Sequence, residues 1–185
     1  MDFILFLIII QFFLFFPLCF SKETKLRKIM SSNQITITIN YQGSGSQKIL
    51  SDDIIVKDEI NHAFVELPNE ILVNGVHQDI IDKTVYNLNQ GINNVTMIWN
   101  DSNITNCNCM FSGLSNIISI DFSKFDTSQV TSMLYMFKDC ISLESLDLTS
   151  FNTGLVTDMF GMFHNCKYLK SIDLPGFTTQ LTYDF

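Results

Sequence analysis

The sequence predicts an α/β fold, a short solenoid with one strand and one helix per turn, behind a mostly β N-terminal cap. Three observations carry this expectation. A block of 26 residues recurs after residue 109, the apolar residues inside each block pass from strand spacing to helical spacing, and residues 33–109 read as short strands parted by turns.

The elements follow in chain order. Phe3 to Phe20 is almost wholly apolar, is interrupted by Gln11 and closed by Pro17, and has the small residues Cys19 and Ser21 at its end. That pattern predicts a secretory signal peptide over residues 1–21, with the mature chain starting at Lys22. Asp2 stands before the apolar run, and Lys22, Lys25, Arg27 and Lys28 follow it. By the positive-inside rule, this charge order fits an uncleaved membrane anchor through residues 3–20 as the alternative, and a buried helix is a third reading. Residues 22–32 form a basic leader or linker.

Ile35 to Tyr41 (ITITINY) alternates apolar and polar residues and predicts a half-exposed strand that ends at a Gly43-Ser44-Gly45 turn. Further strand-like runs are Ile54 to Val56, Ile71 to Val73 before an Asn74-Gly75 turn, Val85 to Leu88 and Val95 to Trp99. Together they make residues 33–109 a β-rich N-terminal cap, placed to cover the first hydrophobic edge of the repeats. Trp99, the only tryptophan, is expected as the anchor of the cap's core.

From Met110, MFSGLSNIISIDFSKFDTSQVTSMLY aligns with MFKDCISLESLDLTSFNTGLVTDMFG from Met136 at nine identical positions, and a third copy starts at Met162. Leu143, Leu146 and Leu148, then Phe151, follow the L-x-x-L-x-L spacing of a leucine-rich repeat, in which a short strand turns alternate side chains inward. Thr153 then caps an expected helix whose apolar face is Val156, Met159, Met162 with Phe163, and Cys166. The first copy repeats this with Thr127, Val130, Met133, Met136 with Phe137, and Cys140. Residues 110–185 therefore hold about three turns of a leucine-rich-repeat solenoid, the last incomplete. The recurring L-x-x-(I/L)-D-(F/L)-x-x-F-(D/N)-T-x-x-V-T-x-M-x-x-M-F-x-x-C resembles the BspA-like leucine-rich repeat surface proteins of bacteria and some protists. The segment GINNVTMIWN leading into CMFSGLSNI looks like the introduction to the repeats in the protist members. The chain departs from the pattern at Leu114, where Cys140 and Cys166 stand in later copies, and at TTQLTYDF, where a Val-Thr-x-Met start is expected. An uncovered last turn with Leu169, Ile172, Leu174 and Phe177 invites self-association, or marks a truncated repeat array.

With 19 acidic against 11 basic side chains and a pI near 4.6, the chain is a poor candidate for reading a phosphate backbone, and no nucleic-acid partner is expected. Three glycosylation sequons crowd into ten residues at Asn94, Asn100 and Asn103. Cys107, Cys109, Cys140 and Cys166 are candidate disulfide cysteines in an oxidising compartment, although Cys140 and Cys166 at one repeat position also suit free, buried thiols. A zinc site is disfavoured because His164 and Cys166 diverge on a helix, so no metal and no cofactor are expected. The repeats set Ser119, Asp121, Ser145, Asp147, Ser171 and Asp173 at two equivalent positions, predicting an outward Ser and Asp ladder. That ladder is a candidate binding face for a basic partner or calcium, or a device for solubility on an exposed sheet. His62, His77 and His164 have no nucleophile in a recognisable motif, and Gly43-Ser44-Gly45-Ser46 lacks the lysine of a phosphate loop.

The functional expectation is a secreted or cell-surface protein-interaction or adhesion module, without catalysis, whose partner is a protein or other cell-surface macromolecule. The resemblance implies adhesion and binding of host or matrix proteins in bacterial relatives. A structural surface-coat component without a specific ligand is the alternative. An enzyme in the cap region would require a deep polar pocket gathering His62 or His77 with acidic partners.

Overall fold

A computed structural model describes residues 32–43, 45–52, 56–57, 60–61, 64, 66–80, 82–100 and 104–173. The expected leader, residues 1–21, most of the basic linker, and Leu174 and Phe177 lie outside the described residues. In chain order the strands are β1 (Asn33–Tyr41), β2 (Gly45–Lys48), β3 (Val56–Lys57), β4 (Ile60–Asn61), β5 (Glu70–Val73), β6 (Val76–Gln78), β7 (Thr84–Leu88), β8 (Gly91–Trp99), β9 (Ile117–Lys124), β10 (Ser145–Asp147) and β11 (Ser171–Asp173).

The structure corrects the predicted fold class. Among the described residues there is no helix, so the strand-plus-helix leucine-rich-repeat solenoid is not the architecture. The dominant element is a five-stranded sheet in the order β6-β5-β8-β1-β9, antiparallel throughout. The pairs β2–β7 and β3–β4 are antiparallel, whereas β10–β11 is parallel, as are isolated bridges from Asn106 to Ser132 and from Ser132 to Asp158.

The five-stranded sheet follows from period-two patterning. Ile35, Ile37 and Ile39 of β1 point inward with Val95, Met97 and Trp99 of β8 and Ile71 and Val73 of β5, and all are buried. The Asn74-Gly75 pair takes positive φ at both residues, 49° and 81°, as a two-residue hairpin between β5 and β6 requires. Strand β1 then pairs on its other side with β9, the first strand of the repeats. Residues 33–109 and the repeats therefore share one hydrophobic core within a compact unit, Asn33–Phe185.

In the repeats, the apolar residues assigned to helices are buried as their spacing required. Val130, Met133, Met136, Phe137 and Cys140 are fully enclosed. Their backbone is a chain of turns. The amides of Met136, Lys138 and Cys140 close three-residue turns onto the carbonyls of Met133, Tyr135 and Phe137. The intervening amides of Met133, Tyr135, Phe137 and Asp139 leave the local backbone and donate to Asp158, Phe160, Met162 and His164 of the next repeat. Cys107, Cys109, Phe111 and Gly113 donate in the same way to Ser132, Leu134, Met136 and Lys138. A helix needs consecutive right-handed residues, and these segments break that requirement twice per repeat. Cys109, Tyr135 and Gly161 have φ of 56°, 54° and 58°, and Gly113, Asp139 and Asn165 have 74°, 59° and 61°. The expected helix caps act otherwise. Thr127 exchanges hydrogen bonds with the backbone of Asn152, at 2.8 and 3.2 Å, and Thr153 accepts the Val156 amide at its carbonyl.

Aromatic rings fill the space between successive repeats. Phe111 stacks on Phe137, and Phe137 on Phe163, with ring centroids 5.9 and 5.6 Å apart and nearly parallel planes. Trp99 is buried where β8 meets this stack, edge-on to Phe64 and Phe125.

Gly161 is where the left-handed backbone and packing constraints coincide. A Cβ added there would lie 2.2 Å from the Tyr135 ring, whereas one added at Gly75 meets nothing within 4 Å. In urea unfolding, Gly75→Ala is therefore expected to cost about 1 kcal/mol from its backbone alone. Gly161→Ala should cost at least about 1–2 kcal/mol more, as the ring is displaced. Equal costs would show that the ring moves aside freely.

Candidate functional site

All six residues of the predicted Ser and Asp ladder are exposed. The structure brings four of them together. In the parallel β10–β11 pair, Ser145 stands beside Ser171 and Asp147 beside Asp173, with Leu146 and Ile172 turned inward between them. Ser119 and Asp121 belong to a different ladder, because β9 pairs with β1 and sets Ser119 beside Thr38 and Asp121 beside Thr36. Hydrogen bonding thus divides the three-rung row between two sheets, while β9 stays packed beside β10.

Two of the aspartates have a local structural task. Asp121 accepts the Ser123 amide and Asp147 the Thr149 amide, each at 2.9 Å, so one carboxylate oxygen closes the turn that follows the strand. The hydroxyl and amide of Thr149 hold the Asp147 carboxyl below its ordinary range. Among the described residues, no group of three or more His, Cys, Asp or Glu side chains is arranged to hold a metal ion.

The surface around Asp121 continues across the five-stranded sheet. Thr36 shares a 3.0 Å hydrogen bond with Thr96, and Thr38 donates to Asn94 Oδ1 at 3.1 Å. In register, Asn94, Thr38 and Ser119 form one row, and Thr96, Thr36 and Asp121 the next. The threonines and Asn94 were not singled out with the ladder from sequence, although the alternation ITIT signals an outward hydroxyl row.

None of the four described cysteines is in a disulfide. Cys140 donates to the Phe111 carbonyl at 3.1 Å and Cys166 to the Phe137 carbonyl at 3.0 Å. Burial raises the Cys107 and Cys140 thiols far above their usual range, with Glu66 adding to the effect at Cys107. Burial pushes Cys166, which is only partly enclosed, up to about 11. Of the histidines, His62 lies outside the described residues, His164 is exposed, and exposed His77 sits 3.9 Å from Glu70.

Among the described residues, the buried polar atoms Glu66 Oε2 and Trp99 Nε1 have no hydrogen-bond partner. Desolvation raises the Glu66 carboxyl. Lys83 is better served, since its ammonium donates to the carbonyls of Ser51 and Phe64. Among the sequons, Asn94 is exposed on β8, Asn100 is half-buried just beyond that strand, and Asn103 lies outside the described residues. Leu169 and Ile172 of the expected C-terminal edge are half-buried against the core. Among the described residues no helix is long and apolar enough to cross a membrane. Residues 3–20, the expected signal or anchor, are not among them.

The family model described as "Mycoplasma protein of unknown function, DUF285" matches residues 80–182, from just before β7 into the third repeat. No curated protein and no solved structure matches the chain.

Two measurements follow from the buried groups. Alkylation of the native protein at pH 8, read peptide by peptide, should modify Cys107, Cys109, Cys140 and Cys166 at least about 100-fold more slowly than in urea without reductant, where all four react. A cysteine that stays unmodified in urea until reductant is added would be disulfide-bonded. For Glu66, a carboxyl raised in the folded state stabilises the fold below its unfolded pKa, and that contribution is lost as pH rises through the folded value. Glu66→Gln should therefore be more stable than the parent at pH 7–8, with the gap closing toward pH 4. A pH-independent gap would mean that Glu66 ionises freely in the folded chain.

Proposed function

The chain belongs to the family so described, and from that premise we propose that it is a secreted or cell-surface interaction module that binds a protein or other macromolecule through the exposed polar rows of its sheets, without catalysis. The observation that carries this reading is the in-register pairing of exposed Ser145 with Ser171 and Asp147 with Asp173 across β10–β11. Like carboxylates on adjacent strands repel, so a cationic or hydrogen-bond-donating partner gains from both at once. Behind them, the stacked phenylalanines and inter-repeat hydrogen bonds hold the strands in fixed register, which limits the ordering cost of binding.

Several sequence features support the setting. The apolar leader with small residues at its end, the clustered sequons, and the resemblance of the repeat to BspA-like surface proteins all favour export and adhesion. The expected partner is acidic-surface-seeking, and nucleic acid is disfavoured by the net charge of −8.

Labelled protein applied to cell surfaces and matrix preparations tests the reading. Replacing Asp121, Asp147 and Asp173 together by Asn retains a side-chain oxygen for the turns after β9 and β10 while removing the charge. The triple variant is expected to keep its unfolding midpoint and to lose about tenfold or more in affinity. Unchanged binding would overturn the acidic-face reading, and saturable binding to nothing would favour a structural surface-coat role.

A further inference from the structure

We propose that Asn94 is an N-glycosylation site and that its glycan covers the polar row running from β8 across β1 to Ser119 of β9. The inference rests on the proposed secretory setting.

Adjacent Asn93 and Asn94 have opposite environments. Asn93 is buried, and its amide nitrogen donates to the carbonyls of Asn89 and Gly91 while its oxygen accepts from Asn74. Asn94 is exposed, and its side chain uses only its oxygen, which accepts the Thr38 hydroxyl. The nitrogen that would carry a sugar donates no hydrogen bond. Glycosylation leaves the amide carbonyl intact, so the Thr38 bond survives the modification. There is also room on one flank. The last β5–β8 rung pairs Val73 with Val95, so beside Asn94 the neighbour is the Asn74-Gly75 turn rather than another strand. The sequon's third residue, Thr96, lies two positions along the same outward face and bonds Thr36 once β1 and β8 have paired.

In the reaction, Asn94 Nδ2 attacks the anomeric carbon of a lipid-pyrophosphate-linked oligosaccharide held by the host transferase. The new C–N bond forms as the C–O bond to the pyrophosphate breaks. The lipid pyrophosphate departs, and a proton from Nδ2 passes to the transferase. Because Asn94, Thr38 and Ser119 form one row across three strands, Ser119 lies about 10 Å from the attachment point, within reach of the first two sugars. Asp121 stands one outward position along β9 from Ser119. Ser145 and Asp147 on β10, then Ser171 and Asp173 on β11, lie successively further from the attachment point.

The test separates the site from the route. A chain whose residues 1–21 are replaced by an established cleavable signal peptide is secreted from a eukaryotic host, treated with peptide N-glycosidase in heavy-oxygen water, and mapped. More than half of the Asn94 peptide should acquire the isotope mark, and Asn94→Gln should lose one glycan's mass while retaining native thiol protection. Recovery of the Asn94 peptide unmarked from folded, secreted protein overturns the inference, whether or not Asn100 or Asn103 is occupied. The chain with its own residues 1–21, run in parallel, reports the secretory reading independently. If it stays in the cytosol while the redirected chain is modified at Asn94, the setting fails and the site stands.

Discussion

Alternate peptide amides over Cys107–Gly113 and again over Met133–Asp139 point in one direction and end on carbonyls 25 residues further along, as in Cys107 to Ser132 and Asp139 to His164. Most of the intervening amides close local turns. This division of donors sets the repeat length, because inserting one residue would carry an outward amide into a turn position and turn a buried side chain outward. Each such bond contributes only about 1 kcal/mol net, but an unpaired buried amide costs about 1–3 kcal/mol, so the pattern is enforced chiefly by the penalty for leaving it. The left-handed residues at Cys109, Tyr135, Asp139 and Asn165 each cost about 1–2 kcal/mol and are tolerated because they aim those amides.

A side-chain oxygen can complete the pattern where the backbone falls short. Asn106 caps the Asn108 amide, and Asp158 caps the Phe160 amide. The equivalent position in the middle repeat is Ser132, which is too short to serve the amide two residues on. Buried Asn108 reaches across from the preceding repeat and accepts the Leu134 amide at 2.9 Å, taking the Ser132 hydroxyl as well. The repeats are therefore not interchangeable, and a sequence change in one is answered by a side chain in its neighbour.

Much of this was legible in the sequence, and the miss is specific. The 26-residue period, the inward residues and the strands at β1, β5, β8 and β10 follow directly from spacing, as does the role of Trp99. The helices did not form because apolar steps of three and four suit a chain of three-residue turns as well as a helix. The discriminating signal was present at another period. Gly113, Asp139 and Asn165 recur every 26 residues with the residue types most tolerant of positive φ, and Gly161 stands at the second left-handed position. Tyr135 and Cys109 conceal that second position, since neither residue type favours a left-handed backbone. The hydrogen bonding of β9 to β1 rather than to β10 was not legible, because that pairing joins residues 78 to 90 positions apart and no local pattern encodes it.

The same edge pairing governs what the surface can offer. An aspartate that closes a turn keeps one oxygen in the protein and presents the other to solvent, so its charge is fixed in place rather than carried on a freely rotating side chain. Asp121 and Asp147 share this arrangement, but β1 surrounds Asp121 with threonine hydroxyls and Asn94, whereas Asp147 faces Asp173 on a strand of identical pattern. One site is a neutral, hydrogen-bonding field with a single charge at its border, and the other is a paired negative charge. A partner that reads repeated carboxylates finds the in-register pair on β10–β11, with Asp121 on the neighbouring strand β9 set among hydroxyls.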